Sequence, residues 1–229
     1  MLITCIIFLV NWKLRIPKKT IISINYLIFR QERNQYFEKK TNFMRPYKVN
    51  YVTLFQSAEV NKHTLKFIKS SFPQRVAELR INCSQDPYLY IFPISNLILE
   101  VSSKVLEKIV IDGFIISAYQ FKRIMACCKH LRKIFFWRCN ISIPSVFNFS
   151  QTLKNTKIKM LDFDCSGNST FTNWEEGFEE FQNLIQGLAT SPDLKKSLQE
   201  FKARNCCIEE EIIREILEEN GFNNVQIFA

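Results

Sequence analysis

Leu131-Arg132-Lys133-Ile134-Phe135-Phe136-Trp137-Arg138-Cys139-Asn140-Ile141 carries apolar residues at its first, fourth and sixth places, a cysteine at the ninth and an apolar residue at the eleventh. Alternation through Ile134, Phe135, Phe136 and Trp137 is the period-two signature of a strand, because successive side chains leave a strand on opposite faces. Leu131, Ile134 and Phe136 are therefore expected in a core. Phe135 and Trp137 are expected on the other face.

The same spacing recurs on both sides. Leu106, Ile109, Ile111 and Phe114 repeat it, as do Leu198, Phe201, Ala203 and Cys206, and, with Ser166 at the ninth place, Ile158, Leu161 and Phe163. Partial copies stand at Val76, Leu79 and Ile81 and at Phe222, Val225 and Ile227. The starts are separated by 30, 25, 27, 40 and 24 residues, so one step implies an insertion after the fourth strand. A fixed period in this range marks an array of supersecondary units.

Helices are expected between the strands. Ser117-Ala118-Tyr119-Gln120 has the form of a capping box and precedes Phe121, Ile124, Met125 and Cys128 at helical spacing. Thr172-Asn173-Trp174-Glu175 is a second box, opening a helix with Trp174, Phe178, Phe181, Ile185 and Leu188 on one side and Ser191-Pro192 at its end. A third helix is expected over about 209–219, burying Ile212, Ile213, Ile216 and Leu217, with Asn220-Gly221 as its stop. Strands joined by helices must run parallel.

These residues carry a resemblance. The pattern L-x-x-L-x-L-x-x-(N/C)-x-L over residues 76–229 is similar to the leucine-rich-repeat family, in its cysteine-containing and ribonuclease-inhibitor-like branches. The resemblance implies an α/β fold: an irregular leucine-rich-repeat solenoid with a curved parallel sheet and helices on its convex side. It departs from the family at Phe114, at Ser166 and at the long fourth step.

Outside that region the chain changes character. The whole protein has 229 residues and a formal charge of +9. Ten Lys/Arg against two Glu fall in residues 1–50, leaving the other 179 residues at +1. Residues 1–50 read as a basic arm without clear period, dispensable for folding and with Met44 as a candidate later start. Residues 51–75 read as a short helical cap built on Glu59–Ser70. The near-neutral body argues against a basic nucleic-acid face. The apolar stretch Met1–Val10 is too short to cross a bilayer as a helix.

The chemistry points to binding. There is no phosphate-cradling glycine loop and no nucleophile elbow. No catalytic residue, metal or cofactor is expected. Eight cysteines without a C-x-x-C pair fit reduced thiols in a cytoplasmic setting. Cys139 and Cys206 are expected to bond to backbone in the turns and to be unreactive. The expected function is non-enzymatic protein binding through the concave sheet. The candidate patch is Phe135 and Trp137, flanked by Val110 and Asp112 on one side and by Met160, Asp162 and Asp164 on the other, with Arg138 at the rim. Aromatic residues and arginine dominate binding hot spots. The alternative is a nucleic-acid or membrane-surface binder acting through the basic arm.

Overall fold

Twelve strands and four helices are found among the described residues, which in this computed structural model are 6–8, 24–30, 48–56, 75–83, 89–90, 106–127, 130–166 and 174–229. The strands are β1 Ile6–Phe8, β2 Ile24–Arg30, β3 Lys48–Gln56, β4 Arg75–Cys83, β5 Leu89–Tyr90, β6 Lys108–Asp112, β7 Phe114–Ser117, β8 Lys133–Trp137, β9 Asn140–Ser142, β10 Met160–Asp164, β11 Glu200–Arg204 and β12 Gln226–Phe228. The helices are α1 Ala118–Cys127, α2 Trp174–Ala189, α3 Pro192–Ser197 and α4 Glu210–Glu219.

Nine strands form one sheet in the order β1-β2-β3-β4-β6-β8-β10-β11-β12. Every adjacent pair is parallel. The six strands expected from the 1-4-6 spacing stand in sequence order within it. A second, smaller parallel sheet, β5-β7-β9, was not anticipated.

The register explains the spacing. Leu79, Ile109, Ile134, Leu161, Phe201 and Ile227 are aligned across the sheet, and so are Ile81, Ile111, Phe136, Phe163 and Ala203. All are buried and belong to one cluster that also takes in Phe121, Ile124 and Met125 of α1, Leu184, Ile185 and Leu188 of α2, and Ile213 and Leu217 of α4. The helices thus cover one face of the sheet. Phe136 and Phe163 stack with centroids 5.3 Å apart, and Phe121 sits against Phe136, Phe149 and Phe163. Each such pair contributes about 0.5–1.5 kcal/mol beyond its buried area.

In four of the six units the strand starts two residues later than expected, so that Leu106, Leu131, Ile158 and Leu198 are buried but precede their strands. The strand after buried Phe222 starts four places later, and β4 already begins at Arg75, ahead of Val76. The second place of three units still bonds to the preceding unit: the amides of Arg132, Lys159 and Gln199 donate to the carbonyls of Glu107, Arg132 and Lys159, and the Gln199 carbonyl accepts from the amide of Gln226, the first residue of β12.

The helix ends follow their sequence signals. The Ser117 amide donates to Gln120 Oε1 at 2.9 Å, and the Gln120 amide donates to Ser117 Oγ at 3.4 Å, which is the reciprocal capping box. Helix α4 ends at Gly221, with φ 80°, where the Phe222 amide donates to the Leu217 carbonyl. That left-handed residue closes the helix, and glycine adopts it without steric cost. Ser191 ends α2 as expected, and it also caps α3 by accepting from the Leu194 amide. The second capping box, at Thr172, lies outside the described residues in part.

The sheet begins earlier than the sequence pattern indicated. β1 and β2 fall within the segment read as an arm, and β3 crosses the expected boundary into the cap, yet β1, β2, β3 and β4 pair in succession. β2 coincides with most of the apolar run 21–29. Strands of parallel sheets read as near-continuous apolar runs without alternation, so a search for period gives no signal there. The helix expected over Glu59–Ser70 lies outside the described residues.

Candidate functional site

The sheet face away from the helices is built from the alternate residues. One row across it runs Arg80, Val110, Phe135, Asp162, Lys202 and Phe228. The next runs Asn82, Asp112, Trp137, Asp164 and Arg204. Strand alternation therefore brings together all the residues of the expected patch except Arg138, which follows β8. Phe135 has Val110 and Asp162 as register neighbours, Trp137 has Asp112 and Asp164, and Met160 is opposite Lys133.

Burial divides these residues. Val110, Asp112, Met160 and Asp162 are buried, whereas Phe135, Trp137 and Asp164 are half-buried and Arg138 is exposed. The two rings meet edge to face with centroids 5.6 Å apart. Lys108 Nζ stands 4.9 Å from the Phe135 centroid, and the Arg80 guanidinium stands 5.2 Å from that of Trp137. Cations over aromatic faces are held by the ring quadrupole, at about 0.5–1 kcal/mol where solvent reaches them.

Asp112 is the electrostatic centre. It is 1% exposed. Arg80 Nη2 donates to Oδ2 at 2.6 Å and Asn82 Nδ2 to the same oxygen at 2.7 Å. Arg138 Nε donates to Oδ1 at 2.7 Å, with its Nη2 2.6 Å away. A buried carboxylate requires such pairing, since a lone charge out of water is prohibitive. Arg138 can reach back because its backbone is left-handed, with φ 49°, at the turn that follows β8. Gly113 and Asn205 occupy the equivalent turns after β6 and β11, with φ 84° and 57°.

A second pair lies further along. Arg204 Nη2 donates to both oxygens of buried Asp162, at 2.8 and 3.1 Å. These bonds to Asp162 outweigh the opposing effect of burial and raise the Arg204 pKa further. Partial burial pushes the Asp164 carboxyl up. Bonds from the Ser166 amide and side chain and from Asn205, with the nearby Arg204 charge, outweigh that and hold it below its ordinary value.

In both arginine pairs the acid is sunk and the guanidinium reaches outward. The side chains of Arg138 and Arg204 are 50% and 47% exposed, against 1% and 5% for their partners Asp112 and Asp162. Sequence reading missed four contributors: Arg80, Arg204, Lys202 and Phe228. Phe228 is exposed and carries Lys202 Nζ at 4.9 Å from its centroid, repeating the Lys108–Phe135 pairing. Their signal was available, because each is next in sequence to an assigned core position on its own strand.

The cysteines of the turns act on the backbone. Cys139 Sγ lies 3.3 Å from the carbonyls of Ile111 and Trp137, and Cys206 Sγ lies 3.7 and 3.2 Å from those of Phe163 and Arg204. Burial pushes the Cys139 thiol up to about 12, so it stays protonated and inert. Among the described residues no cluster of three or more His, Cys, Asp or Glu could hold a metal ion, and no helix is long and apolar enough to cross a membrane. No family model, curated protein or solved structure matches the chain.

Proposed function

We propose that the chain is a leucine-rich-repeat-type solenoid that binds another protein, without catalysis, through the sheet face away from its helices. The observation that carries this reading is the Phe135–Trp137 pair, half-buried in the middle of that face and ringed by outward-reaching cations. Large aromatic residues beside arginine contribute most to binding where a partner excludes water from them. With Asp112 and Asp162 sunk and Arg138, Arg204 and Lys133 reaching solvent, the face suits an acidic partner that presents apolar side chains to the two rings.

Support for the repeat reading comes from the recurring 1-4-6 core register, the parallel order and the matched thiol–carbonyl bonds of Cys139 and Cys206. A cytoplasmic setting fits the reduced thiols. The test is affinity capture with the full chain and with a Phe135→Ala, Trp137→Ala variant. The variant is expected to keep its fold, losing about 1–2 kcal/mol per half-buried ring, and to lose the partner. Retained binding at normal stability would remove this face from consideration.

A second reading rests on the charge excess of residues 1–50, which suits nucleic acid or an anionic membrane surface. Phosphate contacts make affinity fall steeply with salt. A salt titration of the captured complex separates the two readings.

A further inference from the structure

We propose that Cys165 and Cys206 form a redox-active thiol pair that closes reversibly to a disulfide, clasping the ends of the adjacent strands β10 and β11. Their sulfurs are 3.0 Å apart. A disulfide bond is about 2.05 Å long, so closure needs the sulfurs to approach by roughly 1 Å. The two turns are already tied together, because the Cys165 amide donates to the Arg204 carbonyl at 3.0 Å.

Comparison within the molecule shows how the second sulfur is placed. Cys139 and Cys206 occupy the same place in their units and make the same kind of bonds to backbone carbonyls. In the unit preceding Cys139, the place that faces it is taken by Gly113, whose amide donates to the Trp137 carbonyl. In the unit preceding Cys206 that place is Cys165, and a second sulfur replaces a hydrogen. Cys206 thus meets a second sulfur at 3.0 Å across the turn.

The pair is also arranged for sequential chemistry. Cys165 is half-buried, whereas Cys206 is 3% exposed. A peroxide meets Cys165 first, converting its thiol to a sulfenic acid and leaving as water. The sulfur of Cys206 then attacks that of Cys165. The S–S bond forms, the S–O bond breaks, and the hydroxyl leaves with the Cys206 proton as a second water. Each sulfur gives up one electron, and the peroxide is reduced by two. Burial pushes the Cys206 thiol up, so the oxidant meets Cys165 first, and Cys206 reacts only as its proton passes to the departing hydroxyl while the S–S bond forms. Cys207, adjacent in sequence and half-buried, is the competing partner.

The test is disulfide mapping of the full chain. Protein purified under reductant is exposed to hydrogen peroxide, its remaining thiols are alkylated, and its peptides are compared before and after dithiothreitol. The expected result is a cross-linked peptide pair joining Cys165 to Cys206, lighter by two hydrogens than the reduced pair, released by dithiothreitol and lost in Cys165→Ser. Cys139 is expected to remain reduced throughout. Three outcomes would overturn the proposal: Cys165 oxidised to sulfinic acid without a link, a Cys165–Cys207 link instead, or both thiols reduced while Cys127 is oxidised. Mapping on the unmodified chain decides the matter even if the variant folds poorly.

Discussion

Arg138 presents both Nε and Nη2 to a single carboxylate oxygen of Asp112, at 2.7 and 2.6 Å, from a left-handed turn on the neighbouring strand. The acid is buried and the arginine half in solvent. That inequality makes the two partners respond differently to substitution.

Removing the arginines should harm the protein more than removing the acid. Arg80→Met with Arg138→Met leaves a buried carboxylate with Asn82 as its remaining donor among the described residues. Stability should fall by about 3–5 kcal/mol. Asp112→Asn removes the charge, while the guanidiniums, 31% and 50% exposed, turn to water. A smaller loss, about 1–3 kcal/mol, is expected. Urea unfolding of the two variants compares them, and equal losses would show that the acid is not desolvated.

Ile134→Asp should unfold the domain, at a cost above about 4 kcal/mol, whereas Lys133→Asp should stay within about 0.5 kcal/mol of the parent. Ile134 is fully buried in the main cluster and Lys133 is exposed. Thermal unfolding reads the difference.

Asp164 should make stability fall in acid. Its folded pKa lies below the ordinary carboxylate value, so the unfolded chain takes up the proton first as pH drops. The contribution is complete above the ordinary value and is lost as pH falls through the folded one. Asp164→Asn should flatten this part of the stability–pH curve, and an unchanged acid limb would exclude the Ser166 and Asn205 bonds as its source.

A chain beginning at Met44 should be less stable than the full chain. It lacks β1 and β2 and leaves one side of β3 unpaired, a template for association. A loss of at least 1 kcal/mol, about 2–4 °C in Tm, is expected, with added light scattering. A truncated chain as soluble and stable as the full one would show that the β2–β3 pairing adds nothing.

Much of this was legible in the sequence where apolar residues alternate. The strand pair Ile134/Phe136, the capping box at Ser117 and the stop at Gly221 each express a local rule, and each is found in place. The early strands were not legible, because a parallel strand such as β2 carries no alternation to detect. The candidate face was legible as a set of neighbours around Phe135 and Trp137. Its electrostatics was not. That Arg138 would turn back onto Asp112 depends on a backbone angle that arginine rarely adopts. That Asp162 would be claimed by Arg204, 42 residues on in sequence, depends on register between strands. Cys165 escaped notice for the same reason, since its partner is supplied by the next strand.

The long step between β10 and β11 has a kinetic meaning. Leu161 and Phe201 are register partners 40 residues apart, whereas Phe201 and Ile227 are separated by 26. Closing the longer loop costs only about 0.4 kcal/mol more in chain entropy, because the penalty grows with the logarithm of length. The inserted helices α2 and α3 thus burden folding very little. They return far more through Leu184, Ile185, Leu188 and Leu194, all buried. A sheet in which each strand pairs only with the next strand of that same sheet can gain and lose residues between them without disturbing their order.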